Sequence, residues 1–396
     1  MAFGRRVAFH RKKRGYSQRE FAALIDRSET WLSQVERGVR TIDRMSVLER
    51  LAEALDVPLA ELAPERTVVA ASSAVPPAAA ALSMAMVSGD VLRAALSEPQ
   101  PVDLADLEAH SDRAWDYAHG CRYDELAGLL VDLLPDLEQA GQHLDAEGHR
   151  RVSVAKTRAY HAAAVALAEL GELAGAWVAV DRAIRAARDA GDPLLMAEGA
   201  FRLAIVFQAA RRYELAARVA TSAAGALGGL VAQGEPAAVA LHGALHLQLA
   251  MAAARSNDAD AAYDYLDTAR RAAEQLGEDR NDYHTEFGPT SVQLHEVAVA
   301  VELGDAGRAL RVAAAVDAVW LSPERQAWLL IDVSCAHAQR RHPEAVLSAL
   351  SEAMRIAPEQ IERHGRVREL VADLLRADRR VSSEVQELAA RLKIQP

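Results

Sequence analysis

The chain has 396 residues, of which 51% are hydrophobic and 26% charged, and its net charge is −11. Because a single compact domain rarely reaches this length, the composition predicts a soluble protein of two or more domains. The two cysteines, Cys121 and Cys335, lie far apart without metal-type spacing, so we expect reduced thiols. The N-terminal segment is basic and has no apolar core of a secretion signal, and we therefore expect a cytoplasmic protein.

Positive charge is concentrated at the N-terminus. Residues 1–66 hold 13 Lys+Arg and 10 Asp+Glu, whereas the remainder holds 32 and 46, so the two parts carry net charges of +3 and −14. The segment from Phe3 to Arg14 is predicted to be a first helix with seven basic residues, and no acidic residue precedes Glu20. This density favours neutralisation of phosphates over a merely solvated helix face.

Residues 15–38 predict two short helices separated by a turn. Ser17 can cap the first helix together with Glu20, and Ser28 can cap the second. Gly38 then permits the chain to leave the helix. Apolar residues at helical spacing are expected to form one small core: Phe21, Leu24, Ile25, Leu32 and Val35.

This pair of helices resembles the DNA-binding helix-turn-helix of the phage-repressor-like (Xre) regulators. The residues in that family's register are Ser17-Gln18, Phe21-Ala22, Ser28, Leu32, Val35 and Glu36-Arg37-Gly38. The resemblance implies that double-stranded DNA is the target, that the second helix lies in the major groove, and that Arg11 turns inward to pair with Glu36. Asp26 and Arg27 depart from the pattern, because the family often has a glycine and a small apolar residue in this turn.

The basic residues and the resemblance together predict a set of DNA contacts. The set comprises Arg5, Lys12, Lys13, Arg14, Gln18, Ser28, Glu29, Thr30, Ser33, Gln34, Arg37 and Arg40. Within it, Glu29, Thr30, Ser33 and Gln34 are expected to reach bases, and Gln18 a phosphate. Glu29 either accepts from cytosine N4 or faces solvent, and Trp31 is expected to pack rather than intercalate.

Residues 46–62 are predicted to complete a five-helix DNA-binding domain over residues 1–66, with an apolar stripe through Leu48, Leu51, Leu55 and Leu59. Residues 67–101 are rich in Ala, Pro and Ser. Although Thr67 to Gly89 contains no charged residue, Pro76-Pro77 in its middle favours an extended linker over a membrane span. A short helix is expected at residues 90–96.

From residue 102 to the end, the sequence is helical and repetitive. Each repeat has an apolar or aromatic residue just after a turn and a small or apolar residue three positions later, and successive copies lie 36–50 residues apart. The copies are Tyr123/Leu126, Leu173/Ala176, Tyr213/Ala216, Ala259/Ala262, Ala306/Ala309 and His342/Ala345. Such a period predicts an α-solenoid. The segments 170–177, 210–219 and 303–310 resemble tetratricopeptide repeats, so the whole chain is predicted to be all-α.

Two features of the repeats bear on ligand binding. The resemblance to tetratricopeptide repeats implies that first helices line a concave groove, which gives Arg158, His161, Glu198, Arg202, Gln208, Gln248, Arg255 and His295 as predicted ligand-binding residues. The mixture of polar and apolar side chains in this groove suits an extended peptide, whose carboxylates are expected to bind Arg202 and Arg255. The second feature is the polar segment Glu278 to Thr290, which is either a ligand-facing loop or a connection whose Pro289 starts the next helix.

The sequence predicts a regulator and no enzyme. His242 and His246 share a helix face, but the zinc-protease pattern HExxH is absent, as are a phosphate-binding Gly-rich loop and a nucleophile elbow. We therefore expect no metal or other cofactor. The region around residues 286–305 resembles actinobacterial regulators that combine both domain types, and peptide-responsive quorum-sensing regulators have the same domain order. This implies a homodimer that senses a peptide or small signal, or alternatively one whose repeats only dock a protein partner.

Overall fold

A computed structural model of the protein describes residues 3–38, 42, 45–55, 57, 62, 76–87, 103–140, 144–319, 321–377 and 383–394. The chain divides into two compact units, Met1–Ser73 and Ala74–Pro396. The described residues form 21 α-helices and no strand, which confirms the predicted all-α class. Hydrophobic cores form separately within the two units.

The first unit contains four described helices: α1 (Phe3–Lys13), α2 (Gln18–Leu24), α3 (Glu29–Glu36) and α4 (Met45–Leu55). The predicted fifth helix, together with Leu59 and Arg40, lies outside the described residues. Phe21, Ile25 and Leu32 are buried as predicted, but Leu24 is 56% exposed. Its inclusion in the core was wrong, because successive residues turn by about 100° around a helix and Ile25 and Ala22 occupy the inward positions.

The turn between α2 and α3 has a left-handed residue at the position where the Xre pattern favours glycine. Asp26 has φ 55°, and the amide of Arg27 donates to the carbonyl of Ala22 over 2.8 Å. Aspartate tolerates this backbone region better than most residues with a Cβ atom. The departure from the family pattern is therefore compatible with the same turn.

The prediction of an extended linker over residues 67–101 was wrong in its middle. Residues Pro77–Val87 form α5, and Leu82 and Met86 are fully buried in the hydrophobic core of the second unit. Pro77 starts the helix at a position where its missing amide costs nothing, and the following Ala residues favour helix over coil. The predicted helix at 90–96 lies outside the described residues.

The second unit is built from six antiparallel helix pairs. Their bounds are α6 (Leu104–His119) with α7 (Tyr123–Ala140), α8 (Ala146–Glu169) with α9 (Leu173–Ala190), α10 (Pro193–Ala209) with α11 (Tyr213–Ala226), α13 (Pro236–Arg255) with α14 (Ala259–Leu276), α15 (Pro289–Leu303) with α16 (Ala306–Ala313), and α17 (Pro323–Gln339) with α18 (Pro343–Ile356). A short α12 (Gly228–Ala232) follows the third pair. The chain continues through α19 (Pro358–Arg363), α20 (Gly365–Ala377) and α21 (Ser383–Arg391).

The repeat pattern identified the second helices well. Five of the six begin at the first residue of the predicted motif, and the small or apolar residue three positions later is buried in each of the five. The sixth is shifted by one position: α18 begins at Pro343, so Val346 is buried and Ala345 is only half-buried. A proline is favoured at the first position of a helix, which accounts for the shift.

The helix pairs do not form an open arc, because the last pair returns to the first. Helix α17 packs against α6, and one hydrophobic cluster includes Leu134 of α7 and Leu350 of α18. Polar contacts join the same regions: the amide of Tyr123 donates to Glu359 over 2.9 Å, and the Gln360 amide donates to Glu169 over 3.0 Å. The first helices therefore line a central space within this unit.

One described helix, α13, is long and apolar enough to cross a membrane by length and composition. In its most apolar window, 78% of the residues are buried within the protein. Neighbouring helices α10, α14 and α15 pack against it. Core packing therefore accounts for its apolar character.

Candidate nucleic-acid interface and effector cavity

A buried ion pair joins α1 to the end of α3. Arg11 donates to Glu36 in two places, from Nε to Oε1 over 2.5 Å and from Nη2 to Oε2 over 2.9 Å. Both side chains are less than 10% exposed. The pairing implied by the resemblance is therefore present, and it fixes the basic helix α1 against the helix predicted to enter the groove.

Helix α3 presents its N-terminal residues to solvent. Ser28 caps it by accepting from the amide of Trp31 over 3.1 Å, and Ser17 and Glu20 form the predicted capping box at the start of α2. Ser28, Glu29 and Thr30 are exposed, whereas Ser33 and Gln34 are half-buried. Since a recognition helix reads bases mainly with its N-terminal residues, this exposure is compatible with groove contact.

The basic residues predicted to contact phosphates are also exposed. They are Arg5, Lys12, Lys13, Arg14 and Arg37. Gln18 differs from this group, because it is half-buried and its amide donates to Glu36 Oε2 over 2.6 Å. In the free protein Gln18 thus completes the buried Arg11–Glu36 network. Its predicted contact with a phosphate would use the side-chain atoms that this bond leaves available.

The space surrounded by the first helices contains a cavity of about 360 Å³. Side chains from α8, α10, α13, α15 and α17 line it, together with residues at the junction of α19 and α20. Apolar surface comes from Ile205, Met251 and Leu294, and Trp328 adds an aromatic side chain. The volume lies at the lower end of the range of about 300–1,000 Å³ that is typical of small-molecule sites.

Charged residues make the cavity lining cationic. Arg255, Arg325, Arg363 and Arg366 line it, opposed by Glu169 and Asp332. Burial raises the pKa of both acids, that of Asp332 to about 7. At the lining itself, four arginines therefore face two carboxyl groups.

The arginines of the lining differ in how fully they are paired. Arg255 and Arg366 share Glu302, whose pKa they hold at about 2 against the opposing effect of burial. Arg325 donates to Glu286 and to the carbonyl of Thr285. Arg363 is half-buried and forms no hydrogen bond or ion pair with any described residue. Of the four, Arg363 is thus the guanidinium with the most hydrogen-bonding capacity for a ligand.

Four of the eight predicted ligand-binding residues line this cavity: Gln208, Gln248, Arg255 and His295. Gln208 links two of the others, because its amide donates to Gln248 Oε1 over 2.7 Å and its carbonyl oxygen accepts from Arg255 over 2.9 Å. Burial lowers the pKa of His295 to about 3, and a ring nitrogen lies 2.9 Å from the carbonyl oxygen of Ser291. The polar side of the predicted groove is therefore largely bonded to itself.

The other four predicted residues do not line the cavity. Arg158 bonds Asp112 over 2.9 Å at the surface, and His161 and Glu198 form a buried pair 3.1 Å apart. Arg202 was predicted to anchor a peptide carboxylate, but its guanidinium donates to the carbonyls of Tyr283 and His284 and lies 4.6 Å from the Trp115 ring centroid. Arg202 therefore holds a loop in place, and its role as a carboxylate anchor stays a prediction.

The loop that Arg202 holds is the polar segment between α14 and α15. Pro289 starts α15, as one of the two alternatives predicted, and Phe287 is fully buried. Residues 283, 284 and 286 have positive φ values of 51°, 56° and 46°, which are uncommon for residues other than glycine. This conformation persists because Arg202, Arg325 and Phe287 fix the loop from inside.

Sequence reasoning missed the cavity residues that come from the last third of the chain, above all Arg363, Arg366, Trp328 and Asp332. Counting back from each repeat motif places residues along an open groove. It gives no signal that the junction of α19 and α20 closes one end. The turn at His364-Gly365 between two helices was the one available sequence indication.

Comparisons with known proteins bear on the first unit. Residues 2–64 match the family model described as a helix-turn-helix domain. A stretch of 59 residues is 37% identical to the HTH-type transcriptional regulator SlrR of Bacillus subtilis (strain 168), and it makes up 15% of this chain and 39% of that protein. The chain thus spans about two fifths of the length of the curated relative it matches. Together with the capped pair α2 and α3, these matches show that the N-terminal unit is a helix-turn-helix domain.

Proposed function

We propose that this protein is a cytoplasmic transcription regulator that binds double-stranded DNA through α3 and α1 and responds to a small ligand in the repeat-domain cavity. The observation that carries the first half is the exposed, Ser28-capped start of α3, held beside a basic α1 by the Arg11–Glu36 pair. The family match of residues 2–64 and the similarity to a transcriptional regulator support it.

Genome-wide capture of DNA fragments by the purified full-length protein tests DNA binding. Enriched fragments would define an operator, and fluorescence anisotropy on that operator and a scrambled duplex would measure the specificity ratio. Specific sites are expected to bind about 10³-fold or more tightly than non-specific DNA at physiological salt. Equal affinity for both duplexes would count against a sequence-specific regulator.

The proposed ligand is compact and carries a negative group. A cavity of about 360 Å³ that is bounded by α17 and the α19–α20 junction suits a compact ligand better than the extended peptide that the sequence had favoured. Arg363 offers unused donors for a carboxylate or phosphate, while Ile205, Met251 and Trp328 offer apolar contact. An amphipathic anion of modest size fits this combination.

Variants of cavity residues test whether the effector binds in this cavity or at another site. Low-molecular-mass cell extract is expected to change the affinity of the wild type for its operator. Two variants are expected to reduce that response: Ile205→Trp, because it fills the cavity, and Arg363→Ala, because it removes the guanidinium group. Arg218→Ala, an exposed arginine on α11, is the matched control. The shift in DNA affinity cannot exceed the ligand's differential binding to the two conformations. A response that survives both cavity variants would place the effector site elsewhere.

A homodimer assembled through the repeat domain is part of the same proposal, since regulators of this class usually read two half-sites. Helix α9 carries two exposed large apolar residues, Trp177 (46%) and Val178 (42%). These residues support self-association, and equally the alternative in which the repeats dock a protein partner. Light scattering distinguishes the two: a homodimer gives about twice the 42.7 kDa chain mass, and Trp177→Ala should lower it towards one chain.

A further inference from the structure

A second, much smaller cavity of about 20 Å³ lies beside the first. Glu169, Arg325 and Trp328 belong to the walls of both. His119 at the end of α6 and Glu324 in the first turn of α17 also line the small cavity. About 10–15 Å³ is enough for one water molecule, so the space suits a water or a single ion.

Three side chains with metal-ligating atoms converge here from distant parts of the chain. One ligand atom each of His119, Glu286 and Glu324 lies within 4.8 Å of the others. Ligand atoms around a bound first-row metal ion lie about 3–4 Å apart, since each bond is about 2.0–2.2 Å long. A contraction of at most about 1–2 Å would therefore bring the three into one coordination shell.

The carboxylate of Glu324 has no hydrogen-bond donor among the described residues, although the residue is only 5% exposed. A buried carboxylate without a partner is costly. Most buried carboxylates are instead paired or bound to a metal. The small cavity that Glu324 lines is the place where such a partner would sit.

Glu286 and His119 each retain a ligand atom. At Glu286, the hydrogen bonds from Ser322 and from Arg325 both end on Oε2, so Oε1 receives none from the described residues. Neither ring nitrogen of His119 is hydrogen-bonded to a described residue. A ring nitrogen of the neutral imidazole is therefore available to a metal ion.

Two arginines lie close to these residues and oppose a cation by their charge. Arg202 is held by the carbonyls of Tyr283 and His284, and Arg325 donates to the carbonyl of Thr285. Three carboxyl groups, those of Glu169, Glu286 and Glu324, face these two guanidinium groups. Binding of a cation therefore requires all three carboxyl groups to be ionised, because the two guanidinium groups already balance two of them.

We propose that His119, Glu286 and Glu324 bind one divalent first-row transition-metal ion, of the Mn²⁺, Fe²⁺, Co²⁺ or Zn²⁺ type. One imidazole nitrogen with two carboxylate oxygens favours these ions over Mg²⁺ and Ca²⁺, which prefer oxygen ligands alone. The ion joins α6, the strained loop and α17, the helix that closes the ring of repeats. The proposal does not depend on DNA binding or on an effector in the larger cavity.

Cobalt titration of the full-length, chelator-treated protein tests the site. Co²⁺ is expected to bind with 1:1 stoichiometry, to give visible absorption bands of nitrogen and oxygen coordination, and to raise the Tm by several degrees. Glu324→Gln and His119→Gln should each weaken binding at least tenfold. His110→Gln is the control, because His110 pairs with Asp106 on the solvent side of the same helix and is the obvious adventitious surface site.

Glu324→Gln also tests whether a loss of metal binding merely reflects unfolding of the variant. Glutamine keeps the shape of the side chain and removes a buried charge, so the metal-free variant is expected to fold and melt no lower than the metal-free wild type. Its Tm should then no longer respond to Co²⁺. No 1:1 binding by the wild type, an unchanged metal response in Glu324→Gln, or loss of binding in His110→Gln would each overturn the site.

Discussion

Gly243 of α13 faces the ring of Phe287 so closely that a Cβ atom at this position would overlap the ring. Phe287 is fully buried, and its carbonyl accepts from the amide of Arg280 over 2.9 Å across the loop. The glycine thus creates the pocket in which the loop between α14 and α15 is anchored. Through that loop, α13 sets the position of Glu286 beside α6 and α17.

We predict that Gly243→Ala destabilises the repeat domain by about 1–3 kcal/mol, although alanine is normally the better helix former, because the added methyl group overpacks the core. Chemical denaturation of the full-length protein measures the change. Gly225→Ala is the control: Gly225 lies in α11 with no atom near its absent Cβ, so alanine there should stabilise by about 0.5–1 kcal/mol. Equal effects of the two substitutions would contradict the packing argument.

Local signals in the sequence were sufficient for the helices and their caps. Ser17 with Glu20, Ser28, and the recurring residue pairs at the second helices all act over three or four positions, and the structure follows them. Contacts between distant segments gave no such signal. The closure of α17 on α6, the burial of α5, and the meeting of His119 with Glu286 and Glu324 depend on the curvature of the whole repeat array. That curvature accumulates from small rotations at each pair, so no single local segment encodes it.

The Arg11–Glu36 pair gives a second prediction. Among the described residues, Arg11→Ala leaves the buried carboxylate of Glu36 with the Gln18 amide as its remaining side-chain donor, and breaking one partner of a buried pair costs about 3–5 kcal/mol. Hydrogen exchange of peptides from α1 and α3 should accelerate, while exchange in the repeat domain should not change. Arg5→Ala, which removes an exposed arginine from the same helix, should leave exchange as in the wild type.

A third prediction distinguishes base contacts from phosphate contacts. Ser33→Ala with Gln34→Ala should weaken binding to the operator by about 1–3 kcal/mol for each true base contact and leave non-specific binding nearly unchanged. Lys12→Ala should weaken binding to all sequences alike and reduce the salt dependence by about one unit of slope. Fluorescence anisotropy at several salt concentrations measures both. The assignment fails if the double variant keeps wild-type affinity and site preference.

The fourth prediction concerns acid stability and rests on His295. Burial, which leaves the residue 7% exposed, and the nearby Arg325 lower its pKa to about 3 in the folded protein, whereas an unfolded histidine titrates near about 6.5. Because the folded pKa is the lower of the two, the unfolded state binds more protons between these values. The contribution of His295 to the free energy of unfolding is therefore fully present above pH 6.5 and falls as the pH drops, by up to about 1.4 kcal/mol per pH unit from this one group.

Thermal melts between pH 7.5 and 4.5 should show a smaller fall for His295→Gln than for the wild type. His149→Gln is the matched control, since a ring nitrogen of His149 also lies 2.9 Å from the carbonyl oxygen four residues before it, but the side chain is exposed. If both variants keep the wild-type slope, His295 is protonated without penalty and the cavity lining is better hydrated than its burial indicates.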